Sequence, residues 1–173
     1  ITAFFGVNKN QSGTTYNIIK QILPDSYDIK LPQDANDIAL VLLEKSIPAN
    51  YQPAKIISEQ DLLKSGDSAL LAGYGINVPE TPANGDGGLG ILRFVEQKIL
   101  EPQYGNTEVL ISIKNKGTCS GDSGGPAFIQ KEKKLYLFGA ASRMTDKDIV
   151  PGSNPTRYAC TEEIVYTNIL KQA

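Results

Sequence analysis

The segment best suited to chemistry is a glycine-rich stretch, residues 117–128, with the sequence GTCSGDSGGPAF. Ser123 stands at its centre between small residues, which allow a serine hydroxyl to lie exposed on a tight turn. The neighbouring glycines also let two backbone N–H groups converge beside that hydroxyl, where they stabilise the charge that develops on an attacked carbonyl oxygen. Asp122 can hold the turn through a buried ionic or hydrogen-bonded partner. These residue types indicate a serine nucleophile for acyl transfer.

Residues 121–125 also satisfy G-x-S-x-G, the pattern of the α/β-hydrolase nucleophile elbow. That elbow runs from a strand into a helix, whereas two glycines and a proline follow Ser123, and these are poor helix formers. The hydrolase order is serine, then acid, then histidine, and no histidine follows Ser123. The hydrolase interpretation fails on both counts, and a glycine-rich hairpin without chemistry remains the plain alternative.

The composition narrows the functional classes further. The chain has 173 residues, about one domain, and a net charge of −2, so it lacks the basic excess typical of nucleic-acid binding. No apolar run is long enough for a membrane span. There is no histidine, so the chain itself holds neither a histidine base nor a histidine metal ligand, and its two cysteines are too few for a structural zinc site. We therefore expect no metal, cofactor, nucleic acid or membrane partner.

The elements that must position Ser123 are short. Eight apolar runs alternate with Pro, Gly, Asn and Asp clusters, a spacing that favours an all-β sandwich or barrel. These runs are residues 2–6, 16–23, 38–43, 69–75, 91–100, 109–113, 135–141 and 164–170. Residues 58–64 (SEQDLLK) fit either a short helix or a polar turn, and residues 84–90 (NGDGGLG) a glycine-rich loop.

The longer string GDSGGP, residues 121–126, with a cysteine four positions before the serine, resembles the trypsin/chymotrypsin family of serine proteases. Other segments are similar to family segments and follow one another in the family order, nearly end to end. They are residues 23–27 (LPDSY), 36–40 (NDIAL), 72–75 (AGYG), 138–142 (FGAAS) and 165–167 (VYT).

This resemblance implies two packed antiparallel β-barrels with the catalytic groups in the cleft between them. Residues 1–68 would be the remainder of an incomplete first barrel with a connecting segment, and residues 69–173 the second barrel with the nucleophile and the specificity pocket. On this interpretation Ile1 lies inside the first barrel and is not the activated amino terminus. The family's catalytic histidine would come from an upstream segment or from a second chain.

The resemblance also implies a role for each residue of the site. Ser123 would be the nucleophile, and Asp37 would orient the histidine and stabilise its cationic form. The backbone N–H groups of Gly121 and Ser123 would form the oxyanion hole. Asp122 would form the activation ion pair with the new amino terminus that zymogen cleavage creates.

The substrate pocket departs from the trypsin-like pattern. Its base falls at Gly117, where trypsin-like enzymes carry an aspartate, so a preference for Arg or Lys is not supported. Ser142 is the family's substrate-binding serine, but Arg143 follows it where the family usually has an aromatic residue. Met144 and Ile164 stand where small residues leave the pocket deep. Their bulk predicts a shallow apolar pocket for small or medium aliphatic side chains.

Cys119 and Cys160 match the family disulfide that joins two walls of this pocket. The alternative is a pair of buried free thiols, as in a cytosolic protein. The disulfide interpretation predicts a secreted or periplasmic protein.

The resulting hypothesis is a serine endopeptidase that acts on a polypeptide substrate and that, as this chain alone, is inactive. Losing the base of such a triad lowers turnover by about a millionfold. The alternative is a non-catalytic homologue with a binding or regulatory role, suggested by the missing histidine and by Arg143.

Overall fold

A computed structural model describes residues 1–28, 30–31, 33–58, 62–77, 87–114, 116–145, 160 and 162–172. This part of the chain is all-β, as the apolar runs predicted, apart from one turn of 3-10 helix at Ile169–Gln172. The strands are β1 (Thr2–Phe5), β2 (Thr14–Ile22), β3 (Leu40–Leu43), β4 (Lys55–Ile56), β5 (Ser68–Gly73), β6 (Arg93–Tyr104), β7 (Glu108–Ser112), β8 (Pro126–Lys131), β9 (Lys134–Met144) and β10 (Glu163–Asn168).

Six of these strands form a closed antiparallel barrel. Their order is β10-β7-β6-β5-β8-β9, and β9 pairs with β10 to complete the ring. Closure leaves none of the six strands with an unpaired outer edge along its whole length, which removes the usual hazard of an open sheet. The two residues of β4 add to the outside of this barrel by pairing in parallel with β9.

The barrel also holds the main hydrophobic core. Its side chains come largely from β-branched and aromatic residues on the inward faces of the strands, the types that fit a pleated and half-buried surface. In β7, four of five residues are buried, and β5 and β8 alternate buried with more exposed positions. Phe138 and Tyr166, both fully buried, are the largest side chains of this core.

The other sheet is small and has three strands in the order β1-β2-β3. Within these strands only Tyr16 is buried. Phe5 packs against the rings of Tyr16 and Tyr51, each with a centroid distance of 5.3 Å. Several other apolar side chains of this sheet are about half exposed or more, namely Ile19, Ile22, Leu40, Val41 and Leu42.

The sequence prediction missed two strands. β8 directly follows the glycine-rich segment and starts at Pro126, a residue that strands accept at their first position. β4 has only two residues and no visible pattern. The division after residue 68 stays a prediction. The suggested helix at residues 58–64 and the loop at residues 84–90 lie partly outside the described residues and also stay predictions.

Candidate active site

Ser123 lies in the loop between β7 and β8 and is exposed. The backbone beside it is fastened to β9, because the Gly124 N–H donates to the Ala141 carbonyl and the Ala141 N–H donates to the Gly125 carbonyl, both at 2.8 Å. The loop therefore presents a solvent-accessible hydroxyl on a backbone that the barrel holds in place.

Two glycines of the Ser123 loop adopt a backbone conformation that other residues rarely enter. Gly121 has a φ of 91° and Gly124 a φ of 76°, a left-handed region that other residues rarely enter. Among the described residues, the N–H groups of Gly121 and Ser123 donate to no protein acceptor. Two such donors beside a hydroxyl are what an oxyanion hole requires. The assignment of these N–H groups to that role stays a prediction.

Asp122 is buried, and its carboxylate fixes the Ser123 loop through hydrogen bonds to the backbone. Its carboxylate accepts hydrogen bonds from the Gly75 N–H at 2.7 Å and from the Cys119 N–H at 2.9 Å. A Cβ atom at Gly73 or Gly75 would collide with this carboxylate, which explains the glycines of the AGYG segment. Both oxygens are thus engaged by backbone donors, and an ion pair with an amino terminus stays a prediction.

Asp37 lies in the loop between β2 and β3, and two barrel residues hold it. Its carboxylate accepts a hydrogen bond from the Ser142 hydroxyl at 2.9 Å, and its carbonyl accepts one from the Thr167 hydroxyl at 2.9 Å. Ser142 also lines the same cavity as Ser123. The structure therefore brings together three residues that are far apart in the sequence and that were all predicted to belong to the site.

The loop before Asp37 is held by several polar contacts. Asp34 and Asn36 have φ values of 56° and 50°, which is costly for residues other than glycine. The Asp34 carboxylate accepts hydrogen bonds from the backbone and side chains of Asn106 and Thr107. Burial acts to raise the pKa of Asp34, but these hydrogen bonds outweigh it and lower the pKa. Gln172 donates to the Asn36 side chain at 3.0 Å.

A cavity of about 220 Å³ opens beside Ser123. Its walls include Ser142, Met144 and Ile164, three of the four predicted pocket residues, together with the disulfide between Cys119 and Cys160. The disulfide prediction is confirmed, with a Cα–Cα distance of 5.3 Å.

Gly117, the predicted pocket base, is not among the residues that line this cavity. It lines a neighbouring cavity of about 320 Å³, together with Thr118 and Asp122. A Cβ atom at Gly117 would collide with the side chain of Ile113. An aspartate at this position would therefore require the barrel to shift.

Comparisons with known proteins identify the family of the chain. The Trypsin family model matches residues 4–162. The chain belongs to the trypsin family. A curated relative, CLIP domain-containing serine protease B4 of Anopheles gambiae, is 29% identical over 150 residues. The matched region covers 79% of this chain and 41% of the relative, so the chain spans about two fifths of that protein's length.

This trypsin-family chain carries an ion pair that sequence reasoning missed. The Arg143 guanidinium donates to both carboxylate oxygens of Glu108, at 2.6 and 2.9 Å. Glu108 is 1% exposed. The hydrogen bonds to Glu108 raise the pKa of Arg143 above its usual value, although burial acts to lower it. The only signal in the sequence was an acid at the start of an apolar run, and that pattern does not identify a partner.

The described residues contain neither a metal-binding cluster nor a membrane-spanning helix. Within the described ranges, no group of three or more His, Cys, Asp or Glu side chains is placed to hold a metal ion. In the same part of this trypsin-family chain, no helix has the length and apolar character needed to span a bilayer.

Proposed function

We propose that this protein is a serine endopeptidase that forms its acyl-enzyme on Ser123, with the catalytic histidine supplied by an upstream segment or a second chain. The observation that carries the proposal is the hydrogen bond from Ser142 to Asp37 at the wall of the Ser123 cavity. This bond supports the proposal because Ser142, which lines the cavity beside Ser123, also contacts the Asp37 carboxylate. A triad needs an acid and a serine on either side of an imidazole.

In the proposed reaction, the imidazole takes the proton from the Ser123 hydroxyl while the Ser123 Oγ attacks the peptide carbonyl. The N–H groups of Gly121 and Ser123 stabilise the oxyanion that forms. The imidazolium then gives its proton to the leaving amine. Water next attacks the acyl-enzyme and gives its proton to the imidazole, which returns a proton to the Ser123 oxygen as the acyl group leaves. Asp37 holds the imidazole in the required tautomer and stabilises its charge.

The edge of β9 supports a polypeptide substrate. In the described structure, β8 pairs with β9 as far as Ala140, whereas β10 follows β9 to Met144. Residues 142–144 therefore have a strand neighbour on one side only, next to Ser123. An extended peptide can add there as a further strand, with its side chains directed to pockets at alternate positions.

The cavity beside Ser123 supports a preference for small or medium aliphatic side chains. Met144, Ile164 and the disulfide contribute apolar surface to its walls. Burial of an aliphatic group against such walls is favourable, whereas a lysine or arginine head group would lose its hydration without a partner acid at Gly117.

The exposed three-stranded sheet supports a partner that completes a first barrel, with residues 1–68 as its remainder. Leu40, Val41 and Leu42 are 69%, 49% and 55% exposed. Exposed apolar residues clustered on one sheet mark a surface that another segment covers. We assign that cover to the upstream segment or second chain that carries the histidine.

The disulfide supports an extracellular or periplasmic setting, because such bonds persist in oxidising compartments. Buried Asp122 supports activation from a zymogen, in which a new amino terminus would approach this carboxylate from the cavity that Asp122 lines.

A fluorophosphonate tests the proposed nucleophile. The native protein, isolated with whatever segment or partner carries the histidine, is treated with the reagent and analysed by intact mass and peptide mapping. We expect one adduct, on Ser123, that Ser123→Ala abolishes. Ser120→Ala is the matched control, because Ser120 is also exposed and lines the same cavity, and this variant should still be labelled.

The second candidate function is a non-catalytic homologue that binds or regulates. It is favoured by Arg143, which occupies a position where the family usually has an aromatic residue. A sample that contains a histidine-bearing segment, gives no adduct on Ser123 and still gives none after a trial of activating cleavage would replace the first proposal by this one.

A further inference from the structure

The ion pair between buried Glu108 and half-buried Arg143 joins β7 to β9 beside the Asp37 loop. Arg143 directly follows Ser142 on β9, and Glu108 is the first residue of β7. Besides its two bonds to Arg143, the Glu108 carboxylate accepts a longer hydrogen bond from the Ala35 N–H, at 3.4 Å. Ala35 is fully buried and lies two residues before Asp37.

The turn between β6 and β7, together with the first residue of β7, therefore hydrogen-bonds to successive residues of the Asp37 loop. Asn106 and Thr107 hold the Asp34 carboxylate, and Glu108 holds the Ala35 amide. Since the flanking residues 34 and 36 are in the left-handed region, the loop conformation depends on such external contacts.

Charge balance gives Arg143 a second effect on this loop. Glu108 and Asp37 are both acids close enough to raise the pKa of Arg143, Glu108 more strongly than Asp37. Without the guanidinium, Glu108 would be a buried charge without its partner, and Asp37 would lose a nearby cation.

We propose that Glu108 and Arg143 are positioning residues that lock the Asp37 loop to β9 and so keep Asp37 against Ser142. This inference rests on the proposed function, in which Asp37 orients the catalytic base. The pair acts through Asp37 and does not itself contact the reacting atoms. Nothing in the sequence pattern assigns either residue this role.

The test must separate positioning from simple stability. The double variant E108L/R143M replaces the pair by apolar side chains of similar size, a change that is often neutral for folding. Three quantities are measured on the native protein: the thermal midpoint, the amide exchange rates of residues 34–37, and the rate of fluorophosphonate labelling at Ser123. E108Q, which keeps an oxygen for the Ala35 N–H, is the conservative variant.

We expect the double variant to unfold near the wild-type midpoint. Its loop amides should exchange at least about tenfold faster, and Ser123 should react about a hundredfold more slowly, the effect of a small misplacement in a catalytic array. E108Q should recover most of the exchange protection at Ala35. Glu96→Leu, at an exposed position of β6, is the matched control and should change none of the three.

Wild-type exchange and labelling in a folded double variant would overturn the positioning role. If the double variant fails to fold, R143K decides by the same measurements, because lysine keeps the positive charge but cannot bond both Glu108 oxygens as a planar fork. Unchanged exchange and labelling in R143K overturn the role, and faster exchange with slower labelling supports it. If Ser123 of the wild type is not labelled even after activating cleavage, the proposed function fails, and the exchange rates still support or overturn the lock on the loop.

Discussion

The six-stranded barrel buries many of its apolar side chains, whereas the three-stranded sheet leaves several of its apolar side chains exposed to solvent. In the barrel, Leu71, Ile111 and Phe138 are all 0% exposed. In the sheet, Leu40 is 69% exposed and Leu42 is 55% exposed. Hydrophobic burial drives folding roughly in proportion to the apolar area removed from water, so the barrel has its own source of stability and the sheet has little.

This difference bears on how the candidate site is built. Ser123 belongs to the barrel, whereas Asp37 belongs to the loop that leads into the sheet. The contacts that hold this loop nevertheless come mainly from the barrel side: Thr107, Glu108 and Thr167 each bond to it. The proposed catalytic acid is therefore kept in place by the stable barrel even though the neighbouring sheet is poorly buried.

The largest expected effect tests whether the sheet side contributes a catalytic group at all. Asp37→Asn should lower turnover of a peptide substrate by about 10⁴, because an amide favours the wrong imidazole tautomer and does not stabilise its cation. Steady-state kinetics on the native protein measure this, with Asp25→Asn, an exposed acid of the same loop, as the control. Unchanged turnover in Asp37→Asn would leave the barrel as the only catalytic region and break the comparison.

A smaller effect sharpens the contrast in burial. Phe138→Ala should cost about 3–5 kcal/mol of unfolding free energy, because it leaves a cavity in the core. Leu42→Ala in the 173-residue chain should stay within about 0.5 kcal/mol. In the native protein, with the proposed cover over the sheet, the same Leu42 change should cost about 2 kcal/mol or more. Denaturant unfolding measures all three, and a near-zero value for Leu42 in the native protein would refute the cover.

The sequence predicts local backbone geometry well where a motif requires close approaches. The glycines around Ser123 and the AGYG segment near Asp122 are required by close approaches of the backbone, and the structure contains those approaches. Asp37 and Ser142 were predicted from resemblance alone, and in the structure a hydrogen bond joins them.

Other features depend on tertiary contacts that no local pattern encodes. The partner of Glu108 lies 35 residues away on another strand, so a buried acid could be recognised in the sequence but its ion pair could not. Closure of the barrel depends on the pairing of β9 with β10. Gly117 was assigned to the pocket from its sequence spacing to Ser123, but in the structure it lines a neighbouring cavity.

The smallest expected effect concerns the attachment of the loop to the barrel through Asp34. The pKa of Asp34 is lower in the folded state than in the unfolded state. Its carboxylate therefore makes its full contribution to stability at pH values above the ordinary aspartate pKa of about 3.9. This contribution is lost as the pH falls through the lower folded value. Asp34→Asn should therefore reduce the thermal midpoint at neutral pH, and the difference from wild type should shrink steadily below pH about 4.

Thermal unfolding at several pH values measures this difference, and amide exchange at Asn106 and Thr107 locates it. Asp25→Asn is again the control, because the exposed Asp25 carboxylate makes no described contact with the barrel. A difference that stays constant with pH would mean that the charge of Asp34 does not fasten the loop. The attachment of the Asp37 loop would then rest on the neutral hydrogen bonds of Asn36 and Thr167 and on the buried pair of Glu108 and Arg143.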